Sequence, residues 1–148
     1  MNKDLTYLTV QDVVWIHSQI AGDQRSFNYA ALEESVSAQY HYGSNLAVTS
    51  CAEIFAKTFF NKKPFSLYNE AAVLVSFAAF LRLNGWELQV DSHDVFSAFL
   101  DFIQEKKSSK ELFDLYAIYT QQPSNGSKQI LKPYVKSVLD KLPERWSG

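Results

Sequence analysis

Residues 71–81 read AAVLVSFAAFL, a run in which Ser76 is the one polar side chain. A helix that is apolar all round can face water on no side, so the rest of the chain has to wrap around it. The run is broken by Arg82 and is too short to span a bilayer, so its covering is expected to be protein rather than lipid. With Asn84-Gly85 as a left-handed C-terminal cap, the pattern predicts a central helix over residues 67–84. At 148 residues, 47% hydrophobic and 20% charged, the chain carries enough apolar surface for one such core, and one domain is the expectation.

Four prolines and five glycines punctuate the chain. Between them apolar residues recur at spacing three and four, the helical period. Thr9 is placed to cap a first helix with Asp12 in its first turn; Val10, Val13, Val14, His17, Ile20 and Ala21 then share a face until Gly22 ends it. A second helix is expected over 29–39, followed by a loop or short flap over 40–45. A third, over 46–61, has Val48, Cys51, Ala52, Phe55, Ala56 and Phe59 as its inner stripe and stops at Lys62-Lys63-Pro64. Beyond the central helix, residues 86–90 read as an extended link, and Ser92 as the cap of a helix over 95–106. Residues 112–120 read as a further helix, 121–128 as a polar linker, and 129–142 as a terminal helix that docks or frays. The class is all-α, a helical bundle around the buried central helix, with 121–148 counted in the same domain as 1–120.

Several functions lack support from composition. Fourteen Lys+Arg against sixteen Asp+Glu give a formal charge of −2, without any basic block, so nucleic-acid binding has no electrostatic footing. The opening MNKDLTYLTV has no apolar stretch of signal-peptide length, and a lone Cys51 forms no internal disulfide; a cytoplasmic protein without membrane association is expected. His17, His41, His93 and Cys51 include no pair at metal-ligand spacing. His17, on the apolar face of the first helix, reads as a hydrogen-bonded core residue rather than a base, and His41 and His93 as solvent-facing. Lys57, Lys62 and Lys63 read as a solvated helix end more than an anion site.

Four ordered segments carry a further signal: Leu8-Thr9-Val10-Gln11-Asp12-Val13-Val14 through His17; Leu32-Glu33-Glu34-Ser35-Val36; Ala52 to Lys57 leading into Asn61-Lys62-Lys63-Pro64-Phe65; and Phe80-Leu81-Arg82-Leu83-Asn84-Gly85-Trp86. As a set they resemble the Fic/Doc (Fido) family, its shorter death-on-curing branch more than the Fic branch, over about residues 5–120. The resemblance implies a signature loop, His-Pro-Phe-x-Asp-Gly/Ala-Asn-Lys/Gly-Arg, opening the central helix, where backbone N–H groups and the helix dipole hold nucleotide phosphates. In that family the His accepts the proton of the target hydroxyl, the acid holds Mg²⁺, and the Lys or Gly and the Arg complete the anion site.

Laid on this chain the loop becomes Lys63-Pro64-Phe65-Ser66-Leu67-Tyr68-Asn69-Glu70-Ala71. Pro64, Phe65 and Asn69 match the pattern; the residues that would do chemistry do not. Lys63 replaces the base with an ammonium whose ordinary pKa is about 10.4. Leu67 offers no oxygen to a hard cation. Tyr68 puts a ring where phosphate approaches backbone, Glu70 puts negative charge at the anion site, and Ala71 removes an arginine of a kind that contributes roughly 10³-fold or more. Phe65 is expected as a core anchor and Asn69 as a residue that orders the loop.

Two readings stay open: a pseudoenzyme serving as a protein-interaction or regulatory module, related to toxin–antitoxin partners, and a divergent transferase moving a phosphoryl or nucleotidyl group from a nucleotide to a protein hydroxyl. The loop favours the first, with no cofactor, no metal and no nucleotide. Tyr40 and Tyr42, in the flap, and Tyr68, in the loop, are candidate partner-binding residues, or rings that pack within the monomer.

Overall fold

The buried run forms the axis of the molecule. In a computed structural model that describes residues 5–22, 26–40, 47–92, 94–120 and 127–143, α4 (Asn69–Leu83) has every residue from Ala71 to Leu81 buried, together with Leu83. Ala72, Leu74, Val75, Ala78, Ala79 and Leu81 are fully covered. Three helices supply the cover, α1 (Val10–Ala21), α3 (Val48–Lys62) and α7 (Leu131–Leu139), and α2 (Tyr29–Ser37) packs behind α3 and α1. Two further helices, α5 (Val95–Ile103) and α6 (Ser109–Tyr116), pack on each other and contact α3, with Phe77 of α4 meeting the rings of Phe99, Phe102 and Phe113.

Local chemistry explains several helix ends. Thr9 and Asp12 form a reciprocal capping box on α1, and Gly22, at φ 69°, closes that helix with its N–H on Ser18. Ser108 and Glu111 form a second such box on α6, and Asn28 caps α2 through Ala31. Buried amides then pin the chain by imitating backbone. Gln39 accepts from the Leu8 N–H at 2.8 Å and donates to the Leu8 carbonyl at 2.9 Å, and Asn84 does the same to Thr6 at 2.7 and 2.8 Å. Both amides tie the segment before α1 to the bundle, which satisfies backbone groups that would otherwise be buried without partners.

Four details depart from the sequence reading. The extended link at 86–90 is paired rather than isolated, and the helix expected over 112–120 ends at Tyr116: Trp86–Leu88 is β1 and Ala117–Tyr119 is β2, an antiparallel pair with Glu87 opposite Ile118. Cross-strand partners thirty residues away in sequence decided this, and Gly85, at φ 91°, lets the chain turn from α4 into the ribbon. Ser92 is not the cap of α5; Asp94 holds that position, without a side-chain cap bond. α5 stops at Ile103 rather than continuing to 106, and Glu105 there has φ 65°. Of the two outcomes left open for the terminal helix, it docks: Leu131, Val135 and Val138 are buried in the same core as α4, after a 3-10 turn at Ser127–Ile130. Ile16, outside the expected α1 face, is also fully buried.

Candidate functional site

The loop at residues 63–71 runs from the end of α3 into the first turn of α4, and Lys63 and Tyr68 have unusual backbone. Lys63 caps α3 at φ 44°, ψ 61°, and Tyr68 precedes α4 at φ 64°, ψ 31°. The left-handed region costs a side chain with a Cβ roughly 1–2 kcal/mol, so the loop between them has to be held by other contacts.

Three sets of contacts hold it. The first is Asn69, whose Oδ1 accepts from the Phe65 N–H at 3.1 Å while its Nδ2 donates to the Phe65 carbonyl at 2.7 Å, closing the loop on itself. The second is an isolated antiparallel bridge between Phe27 and Phe65, flanked by Asn28 N–H to the Pro64 carbonyl at 2.8 Å and Ser66 N–H to the Ser26 carbonyl at 3.3 Å. The third is His17. Its ring lies flat on Phe65, with centroids 3.7 Å apart and planes 6° from parallel, and its Nε2 is 2.9 Å from the Leu67 carbonyl oxygen. Because a carbonyl only accepts, Nε2 carries the proton and Nδ1 the lone pair. Burial lowers the imidazole pKa from its ordinary value, opposed by the bond to Leu67. Phe65, 4% exposed, also meets Phe27 and Phe59, at ring separations of 5.7 and 6.2 Å. It is a core anchor and Asn69 orders the loop, as the residue types suggested.

Beside this knot a cleft of about 530 Å³ opens along α1, lined by Val10, Val14, Trp15, His17, Phe27 and Phe65 with Tyr29 at its edge. Of the lining residues Tyr29 is a large side chain left 57% exposed, and Leu67, whose carbonyl meets His17, is 47% exposed. Lys132 of α7 sits over the Trp15 ring at 5.2 Å, and Lys128 pairs with Asp12 at 2.5 Å.

The charged residues of the loop are engaged or turned outward. Lys63 donates to the Phe60 carbonyl at 3.0 Å and lies 3.5 Å from the centre of the Phe60 ring. Lys57 is shared by Glu53 and Glu105, and Lys62 is paired with Glu34 at 3.3 Å, so this cluster is a set of ion pairs at a helix end. Glu70 is exposed in the first turn of α4, and Ala71 is buried. Among the described residues no group of three His, Cys, Asp or Glu side chains is placed to hold a metal ion. No helix of the described residues is long and apolar enough to cross a membrane. Cys51 is buried, and burial raises its thiol pKa.

Of the candidate partner-binding tyrosines, Tyr40 and Tyr68 do not converge. Tyr40 is half-buried and stacks on Tyr7 at 4.4 Å, which in turn stacks on Phe80 at 6.3 Å. Phe80 lies roughly 16 Å along the α4 axis from Asn69, taking 1.5 Å per residue, whereas Tyr68 adjoins Asn69. Tyr40 and Tyr68 thus belong to opposite ends of the central helix. Tyr42, His41 and His93 lie outside the described residues.

No known protein family, characterised protein or solved structure matches the chain. The site therefore rests on its own geometry. Sequence reasoning missed Trp15, Phe27 and Tyr29 as cleft residues. Trp15 sits beside the expected α1 face, and Phe27 was hidden in a polar stretch because its role is a strand bridge to Phe65, a contact made across 38 residues.

Proposed function

We propose that this chain is a catalytically silent Fic/Doc-like domain that acts by binding another protein in the cytoplasm, with a toxin–antitoxin-type pairing as the context the resemblance suggests. One observation carries the reading: the start of α4, where a nucleotide's phosphates would lie, presents the Glu70 carboxylate instead of a cation, behind a loop tied to α1 and to residues 26–28. Anionic phosphates are repelled by that charge, and Lys63 is bound to Phe60 rather than poised as a base. Leu67 contributes no oxygen for Mg²⁺. The apolar side chains beside the cleft support binding of a protein surface, with Trp15 and Tyr29 of the residue types that dominate interface energetics.

The test has two arms. Titration of ATP with Mg²⁺ in a calorimeter is expected to give no micromolar binding, and radiolabelled ATP no labelled protein; label transfer abolished by Lys63→Ala would instead establish the transferase reading. In the second arm, a stoichiometric partner copurified from the source cells is expected to lose at least about tenfold in affinity with Tyr29→Ala, whose ring is exposed and whose loss leaves stability nearly unchanged.

A further inference from the structure

The imidazole of His17 is 2% exposed and lies against a segment bounded by two left-handed, non-glycine residues, Lys63 and Tyr68. It contributes two of the contacts that press this segment onto α1: the face-to-face stack on Phe65 and the Nε2 hydrogen bond to the Leu67 carbonyl. The ring is also part of the cleft wall. We propose that His17 is a proton-operated latch: neutral, it clamps the 63–69 loop against α1 and closes one wall of the cleft; protonated, it leaves its seat and lets the loop swing away about Lys63 and Tyr68.

The physical basis is that the described residues supply neither an acceptor nor a counter-charge for a second proton. With Nε2–H committed to Leu67, the added proton goes to Nδ1, for which no hydrogen bond is found among the described residues. Charged groups on the surrounding elements offer no counter-charge. Asp12 on α1 is paired with Lys128, Glu34 on α2 is paired with Lys62, Glu33 and Glu70 are exposed, and Lys63 is a cation. The titration of His17 is set by burial, which lowers its pKa, and then by the Leu67 carbonyl, which raises it, with no contribution from a charged side chain. The sign follows. The closed form binds the proton less readily than the open form, in which the ring meets water and titrates near its ordinary 6.5, so the closed form is favoured above that pH and loses ground below it. Between pH 7.5 and pH 5 this linkage shifts the opening equilibrium by up to about 30-fold. The strained ends of the loop make it the segment that yields, because its opening relieves two left-handed residues, against the cost of exposing Phe65.

Amide hydrogen exchange of the whole chain at pH 7.5, 6.5, 5.5 and 5, corrected for the intrinsic pH dependence of exchange, tests the latch alongside an NMR titration of the His17 ring. The protection of the Asn28, Phe65 and Ser66 amides is expected to fall, by up to about 30-fold, as the pH drops across this range, while Ala78 and Ala79 in α4 keep theirs. In His17→Gln, whose side-chain amide still donates to a carbonyl but does not titrate, loop protection is expected to be independent of pH. The proposal is overturned if loop protection in the unmodified protein stays constant while His17 protonates, if loop and α4 lose protection together, or if His17→Gln shows the same loss. Should His17→Gln not fold, the first two comparisons decide alone. The measurement needs neither nucleotide nor partner, so its outcome is independent of the binding reading.

Discussion

Replacing Asn69 with Ala isolates the contact that closes the candidate loop. The substitution removes the acceptor of the Phe65 N–H and the donor to the Phe65 carbonyl, at 3.1 and 2.7 Å, and leaves two partly buried backbone groups without those partners. A backbone group stranded in this way costs about 1–3 kcal/mol when buried and less when water reaches it, so the pair is worth about 2–3 kcal/mol. Asn69 is the first residue of α4, where alanine's better helix propensity returns about 0.5 kcal/mol. The net loss is about 1.5–2.5 kcal/mol, or a Tm lowered by roughly 5–8 °C for a domain of this size. Urea unfolding followed by far-UV circular dichroism gives the number directly, with an unchanged m-value as evidence that the same surface unfolds. Asn69→Asp is a useful companion. It keeps an acceptor for the Phe65 N–H and adds a favourable charge at the positive end of α4, about 0.3–1 kcal/mol, but turns a carboxylate oxygen toward the Phe65 carbonyl. It should fall between wild type and Asn69→Ala. If Asn69→Ala unfolds within about 0.5 kcal/mol of wild type, the loop is not held by this side chain and the reasoning fails.

Two further substitutions probe the rest of the frame. Val75→Asp puts a carboxylate at a fully buried position of α4 with apolar residues on every side, and is expected to abolish cooperative unfolding; a sigmoidal melt at the wild-type Tm would contradict the placement of that helix. Tyr40→Ala removes the ring stacked on Tyr7 at 4.4 Å and is expected to lower stability by about 1–2 kcal/mol in a urea titration, whereas an exposed binding ring would leave the midpoint unmoved.

What was legible in the sequence was whatever short-range chemistry dictates. The uninterrupted apolar run could only become a helix covered on all sides, and α4 is that helix. Thr9 with Asp12 began α1 and Gly22 ended it because a capping box and a left-handed glycine need only neighbours within a few residues. The loop-ordering role of Asn69 is local in the same way, since its side chain reaches back just four residues, whereas Phe65 is anchored by His17 and Phe27 from distant parts of the chain. Contacts between distant segments were not legible. The turn of 117–119 into a strand depends on Trp86–Leu88 lying alongside, and a residue at either strand has no local reason to prefer that partner over a helix. The cleft is likewise tertiary, because it exists only where α1, Phe27 and Phe65 meet. His17 illustrates the division best: its position on the apolar face of α1 marked it as a core residue, but burial between α1 and a loop fifty residues away gave it a stacked ring, one hydrogen bond and a lowered affinity for protons. Sequence set which side chains had to be inside; packing decided which of them, once inside, met a segment distant in the chain.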